Sequence, residues 1–383
     1  MAWGQRPVTL TLALAVLVAA VGCGNQEETT LPDTPGGGQV AAPQQGGNGG
    51  EGEAEGLKTP ELLITLPNEL VNTPDAMYVL PDGNLYLTVP NFNNLEQQPL
   101  VMKITPENEA EVFYMLPDHP DTGEPFGSLG IWGAPDDDLF VCDYQMTAEG
   151  MGRVVRILVE DGEAVGSRAV ITGFNIPNGL IVHEGHLYVA DTALDTEQTP
   201  VISGVFRFPL EDLEGEEPVQ LAENLLEDPY LIGTIETHDE TLPLGADGLC
   251  FDPEGHLYVS NFADGTIHRF EFDEQGQVVS NTIFAEADFM KSADGLEYDP
   301  VTGVIYVADS RANAVQVVYP DGSVRTLAQN DDTDGADGSL DQPCEIRLRG
   351  RELIVSNMDW PVPGTINTEH DEPHTLSVIH LDD

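Results

Sequence analysis

Five side chains hold equivalent places in a repeated phrase, and all five offer oxygen. Asp75, Asn178, Asp247 and Asp294 open short apolar runs (D-A-M-Y-V, N-G-L-I-V, D-G-L-C-F and D-G-L-E-Y), and Glu345 holds the matching place in C-E-I-R-L. Ser128, in S-L-G-I-W, stands in the remaining copy. Carboxylates gathered at one place repel one another strongly unless a cation sits among them. A donor set made wholly of oxygen favours a hard divalent cation, calcium before magnesium or manganese; a softer metal would want histidine or thiolate. Beside such a cation a carboxylate gains catalytic use, because a bound water becomes acidic and a neighbouring base can take its proton. On that chemistry Asp247 is the predicted general base. Asp294 would raise its pKa by like-charge repulsion. Asp-Gly and Asn-Gly are also ordinary turn pairs, but a turn does not require an acid where Ala or Ser would serve.

The elements that must bring these groups together are strands. Gly245 to Asn261 reads G-A-D-G-L-C-F-D-P-E-G-H-L-Y-V-S-N, two apolar runs joined by Pro253-Glu254-Gly255. Leu249, Phe251, Leu257 and Val259 alternate at period 2, the strand signature. The phrase recurs at Ser292–Asp309 and Ile176–Asp191, more weakly at Asp75–Thr88, and in degraded form at Ser128–Asp143 and Cys344–Asn357. The first residues of the second runs fall at 85, 139, 187, 257, 305 and 353, at intervals of 54, 48, 70, 48 and 48 residues. Repeats of that length, made of short strands with no helical period, predict an all-β fold, a six-bladed β-propeller with one blade per repeat. The innermost strand of each blade then runs along the central channel, so the five oxygen donors face one mouth. The long interval predicts an insertion of about twenty residues after blade 3, around Asn224 to Leu244. Blade 6 carries a long excursion from Met358 to His374. It is also one strand short, while Glu61–Leu66 is a strand without a blade. Pairing of Leu62–Leu66 with Ser377–His380 would close the ring and remove two open edges.

Composition narrows the function. The 383 residues include 67 acidic and 14 basic side chains, a formal charge of −53. Such a surface repels phosphate backbones, which excludes nucleic acid as a partner, and it disfavours docking on anionic lipid by charge. Residues 57–383 are read as one domain, because propellers grow by adding blades around one axis. Four cysteines stand at 23, 142, 250 and 344 without C-x-x-C spacing, so a zinc–thiolate site is not expected. Cys142, Cys250 and Cys344 read as small core residues, with a bridge between one pair of them left open. Residues 1–23 have the order of a signal peptide: Arg6, an apolar run from Val8 to Val21, then small residues before Cys23. Ala20-Val21-Gly22-Cys23 resembles a bacterial lipobox, with Ala20 where leucine is usual, and implies lipidation at Cys23. Residues 24–56, rich in Gly, Gln, Glu and Pro, read as a disordered tether. Together these features predict an exported protein of the bacterial cell envelope, lipid-anchored and facing the periplasm or the exterior. The membrane would be a partner only through that anchor.

P-N-G-L at 177–180 and A-D-G-L at 246–249 and 293–296, each followed by L-Y-V or I-Y-V, resemble the senescence marker protein/gluconolactonase/luciferin-regenerating-enzyme family. The resemblance spans roughly residues 60 to 383 at the level of repeats. It implies a six-bladed propeller with a divalent cation at the channel mouth and, in many members, the opening of lactone rings. Asn178 matches the family's asparagine ligand, and Asp247 the aspartate that serves as both ligand and proton-transfer group. The family's first ligand is a glutamate in E-G-P-x-W; here P-D-A-M-Y offers Asp75, a shorter arm. The family's N-D-G has no match in blade 2. Asp337 to Asn357, with D-G-S-L-D-Q-P, is similar instead to NHL-repeat propellers, which implies a non-catalytic scaffold presenting a loop-lined face to a ligand or protein. The two readings differ in whether Asp75, Asn178 and Asp247 share one ion near a small-molecule substrate.

Other patterns are weaker. Asn330 to Asp341 approximates a calcium loop but lacks flanking helices, and reads as an acidic loop between blades. His370 and His374 lie in H-D-E-P-H, where proline forbids the regular helix that i, i+4 ligation uses, so a solvated loop is expected. His183 and His186 flank a hairpin turn away from the channel. No nucleophile elbow, phosphate loop or dinucleotide fingerprint is present. The lipobox reading makes one prediction: in a bacterial host the full chain fractionates with membranes, and Cys23→Ser releases it to the soluble fraction. Equal partitioning of the two forms would refute lipidation at Cys23.

Overall fold

The computed structural model describes residues 56–195 and 199–382. The leader, Cys23 and nearly all of the tether lie outside the described residues. Six sheets follow one another in chain order. Blade 1 comprises Met77–Val79, Leu85–Val89, Leu100–Ile104 and Ala110–Met115, and blade 2 comprises Ser128–Gly133, Leu139–Asp143, Gly152–Glu160 and Glu163–Phe174. Blade 3 is Pro177–His183, His186–Asp195, Val201–Pro209 and Leu231–Thr237, and blade 4 is Ala246–Phe251, Leu257–Asn261, Thr266–Phe272 and Val278–Glu286. Leu296–Tyr298, Ile305–Asp309, Ala314–Val318 and Val324–Gln329 form blade 5. Pro343–Arg349, Glu352–Asn357 and Thr375–His380 form blade 6, completed by Glu61–Thr65 from the start of the fold. The closing strand runs antiparallel, with Glu61 opposite Val378, Leu62 opposite Ser377 and Thr65 opposite Thr375.

The second strands explain why the repeats are legible. Leu85–Val89, Leu139–Asp143, Leu257–Asn261 and Ile305–Asp309 are buried at every residue. A sheet in the ring is covered on both faces by its neighbours, so its middle strands carry apolar residues on both sides. Six apolar clusters follow, one between each pair of adjacent blades. The one between blades 2 and 3 is rich in aromatics, with Phe174 edge-on to Phe206 at 5.3 Å.

The extra residues of blade 3 lie elsewhere than expected. Leu231–Thr237, inside the predicted insertion, is that blade's outermost strand, paired with Val201–Phe206. The additional chain instead precedes it, from two short 3-10 turns, Leu210–Leu213 and Leu225–Glu227, to a two-residue strand, Val219–Gln220. That strand pairs in parallel with blade 2, Val219 opposite Ile171 and Gln220 opposite Thr172. It covers an edge that would otherwise be open, and Leu213, Leu221 and Leu225 seal the aromatic cluster beneath. Interval lengths alone could not separate a displaced fourth strand from inserted chain. Cys142, Cys250 and Cys344 are buried free thiols in blades 2, 4 and 6, so no pair bridges neighbouring blades.

The inner strands touch backbone to backbone around the channel. A Cβ on Gly130 would come within 3 Å of the Asn178 carbonyl oxygen, one on Gly179 within 3 Å of the Asp247 carbonyl, and one on Gly248 within 3 Å of the Asp294 carbonyl. On Gly295 it would strike Glu345 and the Cys344 carbonyl. The glycine after Asn178, Asp247 and Asp294 is thus demanded by the neighbouring blade. Gly248→Ala should therefore cost about 1–3 kcal/mol or more by overpacking. Gly166→Ala, in a strand with open space around the added carbon, should be neutral or stabilising. Urea unfolding midpoints check both; equal midpoints for Gly248→Ala and wild type would remove the close-contact argument.

Candidate functional site

Four inner strands carry bulges at the channel mouth, two of them at the Asn178-Gly179 and Asp247-Gly248 dipeptides. Register against the second strand shifts between Ser128 and Ile131, Pro177 and Leu180, Ala246 and Leu249, and Pro343 and Glu345. A bulge places extra residues opposite one partner and turns their side chains out of the regular alternation. Asn178 and Asp247 lie within such shifts. Asp75 and Asp294 lie two residues before their strands, each bonded by its N–H to a second-strand carbonyl (Thr88 and Ala308, 2.9 Å).

The loops leading into these positions are held by the residues that end the second strands. Asp191 accepts the backbone N–H groups of Asn175 (2.8 Å) and Ile176 (2.9 Å), just ahead of Asn178. Asp309 accepts those of Lys291 (3.0 Å) and Ser292 (2.8 Å), ahead of Asp294. Asp143 accepts from Gly127 at 3.0 Å and ion-pairs with Arg153 at 2.6 Å. Asn357 accepts from Asp341 at 3.1 Å. The L-Y-V-A-D endings of the repeats are therefore loop anchors.

The predicted carboxylates feel one another. Burial is the main cause that pushes the Asp247 carboxyl well above its ordinary range, and the charges of Asp75 and Glu345 add to it. Asp294 is driven the same way by burial and then by Asp247 and Asp75, offset in part by the Ser310 hydroxyl, which donates to it at 2.9 Å. Burial raises Asp75 to about 7, against a weak thiol contact from Cys344. Glu345 also rises to about 7 by burial, opposed by Arg347. Asn178 belongs to the same ring through its backbone, with its carbonyl beside Gly130 and the following glycine against Asp247.

Arg347 is the site residue that the sequence reading missed. Its Nη1 donates to Glu345 at 2.8 Å and to the Leu296 carbonyl at 2.9 Å, and its Nε donates to the Met77 carbonyl at 3.0 Å. Its guanidinium lies 5.3 Å from the Trp132 ring centroid. One side chain of blade 6 thus contacts blades 1, 2 and 5 across the channel. The signal was available: Glu345 and Arg347 are two apart on one strand and so share its channel face. Glu345 consequently has a protein cation as partner. Asp75 does not: its Oδ2 is buried without a hydrogen-bond partner. A buried carboxylate oxygen without a hydrogen-bond partner, set among other oxygen donors, fits a hard cation as its partner.

A cavity of about 1130 Å³ opens on the same end of the ring, between blades 4 and 5 and beside the blade 6 excursion. Asp239, Asp264, Phe289, Lys291 and Arg311 line it; the channel carboxylates do not. His183 and His186 pair at the far end of their hairpin from Asn178, as expected, and His183 stacks on Phe251 at 3.8 Å.

These features define a class, the six-bladed β-propeller with an acidic, buried channel mouth. Residues 233–329, about a quarter of the chain, match the family model described as SMP-30/Gluconolactonase/LRE-like region, and the six-bladed propeller fold is the one this chain shares with gluconolactonase, luciferin-regenerating enzyme and regucalcin structures. Similar solved structures include a luciferin-regenerating enzyme (TM-score 0.56, 11% identity, covering 85% of this chain and 96% of that one). A gluconolactonase from Xanthomonas campestris gives a TM-score of 0.52 at 15% identity, covering 85% and 97%. Regucalcin from Agrobacterium tumefaciens, a calcium-binding protein, gives 0.51 at 13%, covering 84% and 93%. At such identities the likeness establishes the fold. No curated protein sequence matches the chain.

The raised carboxyls make a pH prediction for metal-free protein. Each binds its proton more tightly folded than unfolded, so its contribution to stability is complete below about pH 4 and is lost as pH rises toward 7. For Asp75, raised from 3.8 to about 7, the loss is on the order of a few kcal/mol. Unfolding free energy after chelation should fall between pH 5 and 8, and Asp75→Asn should flatten that slope. Parallel slopes for the two proteins would show that Asp75 is not repelled in the folded state.

Proposed function

We propose that this protein is an exported, lipid-anchored hydrolase that opens lactones or related esters at its channel mouth with the help of one divalent cation. The observation that carries this is the gathering of Asp75, Asp247, Asp294 and Glu345 into one buried, mutually repelling set, in which an Asp75 oxygen lacks any partner. The family match over residues 233–329 supports the substrate class. Asp75, Asn178 and Asp247 would hold the ion, calcium before magnesium or manganese, with Asp294 and Glu345 adding negative charge around them. A bound divalent ion there supplies positive charge for a carbonyl oxygen and a more acidic water.

The chain's own groups do the rest. Asp247 takes the proton of the water that adds to the ester carbonyl. The acyl–oxygen bond then breaks, and Asp247 returns the proton to the departing ring oxygen, giving a hydroxy acid. Charges at Asp75 and Glu345 keep Asp247 basic enough for that exchange. Ser310 holds Asp294 in place by the 2.9 Å bond. Arg347 occupies Glu345, leaving the other acids for the ion.

The decisive experiment is a panel of aldonolactones and simple esters with calcium, magnesium, manganese or chelator. Hydrolysis should require a divalent ion, and Asp247→Asn should lower kcat by roughly 10²–10⁴-fold while the protein stays folded. If no panel member is hydrolysed, and neither calcium nor chelator moves the melting temperature, the hydrolase reading fails and a binding propeller replaces it.

A further inference from the structure

We propose that blade 6 carries a second cation site, distinct from the channel mouth, in which Asp359, His370 and His374 bind a divalent transition metal of the zinc type. The excursion between Glu352–Asn357 and Thr375–His380 begins at the channel-mouth end, because Asn357 pairs with Pro343. It was expected to be a solvated loop. Instead His374 is 3% exposed and Asp359 1%. Donor atoms of Asp359, His370 and His374 lie within 4.8 Å of one another, as do those of Asp341, Asp359 and Asp371. The two imidazoles stack at 5.2 Å with an interplanar angle of 10°. No helix is needed for this approach: Asp359 sits at φ 45°, and its Oδ2 accepts the Asp371 N–H at 3.0 Å, folding the loop back on itself.

A cluster of acids and histidines alone would not argue for a ligand; the unsatisfied atoms do. Asp359 Oδ1, His374 Nδ1, Asn367 Oδ1, Asp371 Oδ1 and Asn93 Oδ1 are all buried without a hydrogen-bond partner. They belong to one neighbourhood. Asn93 donates to the Asp359 carbonyl at 2.8 Å and contacts His370, and Asn367 donates to Asp341. A buried polar group without a partner is costly, so five together in one loop point to a ligand that would satisfy them. The His374 Nδ1 to Asp359 Oδ2 distance, 3.8 Å, is too long for a hydrogen bond. No lysine or arginine ion-pairs with Asp341, Asp359 or Asp371 among the described residues; the charge partners given to Asp359 are the two histidines.

The donor type sets the metal. Two imidazole nitrogens with a carboxylate suit zinc and its neighbours, whereas calcium wants six to eight oxygens. Asp341 and Asp371, sharing Asp359 as a common neighbour, supply further negative charge. The ion would clamp the start of the excursion, at Asp359, to its end, at His370 and His374.

The test is zinc titration of the full chain, stripped of metal, against a chromophoric chelator, followed by X-ray absorption at the zinc edge. One zinc per chain with an imidazole scattering signature is expected. His374 is buried and its replacement could unfold the blade, so the exposed His370 carries the comparison. His370→Ala, with its fold verified by circular dichroism, should weaken zinc binding by at least the roughly 10–100-fold that loss of even a supporting residue costs. Asp247→Asn should leave zinc affinity unchanged, which separates this site from the channel mouth. The proposal is overturned if folded His370→Ala binds zinc as wild type does, if no stoichiometric zinc binds, or if zinc is lost with Asp247→Asn instead.

Discussion

The contact on which the rest of this structure depends is the approach of one inner strand's backbone to the next at the channel mouth. Asn-Gly or Asp-Gly stands there because the following blade's carbonyl occupies the space a Cβ would fill. Hydroxyls continue the ring: Ser260 donates to the Asp294 carbonyl at 2.7 Å and Thr88 to that of Leu129 at 2.9 Å, while the Ser310 oxygen lies 2.7 Å from the Pro343 carbonyl. Cys344 closes it, its thiol 3.7 Å from the Pro74 carbonyl and 3.8 Å from that of Asp75. Because the backbones are this close, the residues that open the inner strands, Asn178, Asp247 and Asp294 before their glycines and Asp75 and Glu345 in the neighbouring blades, are forced together. The acids meet as a consequence of blade packing.

That forced proximity has an electrostatic cost, which Arg347 only partly offsets. Its guanidinium satisfies Glu345 and three blades' worth of carbonyl oxygen, yet Asp75, Asp247 and Asp294 remain in a desolvated setting with mutual repulsion. Natural cores seldom keep such groups without a partner. A fold seeking stability alone would gain by replacing them with amides. Their retention as acids points to use.

Much of this was legible in the sequence, and the reasons are physical. Six blades and the closing strand could be counted because the second strands are covered on both faces and carry apolar residues on both sides. The channel positions could be found because Asn-Gly or Asp-Gly recurs in blades 3, 4 and 5, where close packing needs the glycine. Arg347 was not legible as a site residue because its partners, the Met77 and Leu296 carbonyls, belong to other blades, although its spacing from Glu345 puts the two on one face. The blade 3 insertion escaped because length does not say which side of a strand the extra chain lies on. The blade 6 cluster escaped for a deeper reason. Its members meet through long-range contacts among residues 93, 341, 359 and 374, and the only rule applied to His370 and His374 was the helical one, which Pro373 breaks.

The charge of −53 bears on both sites at once. A surface so acidic raises the local concentration of divalent cations within about a Debye length, roughly 8–10 Å at physiological salt. On the proposed reaction it would treat the two ends of a lactone hydrolysis differently. The substrate would be neutral and enter without penalty, whereas the product would be a carboxylate and meet a mouth lined by like charge. Ring opening would then create its own repulsion. Acidity that would hinder a phosphatase or a nuclease would instead favour release of an acid product, and the same field would favour a cation at either proposed site.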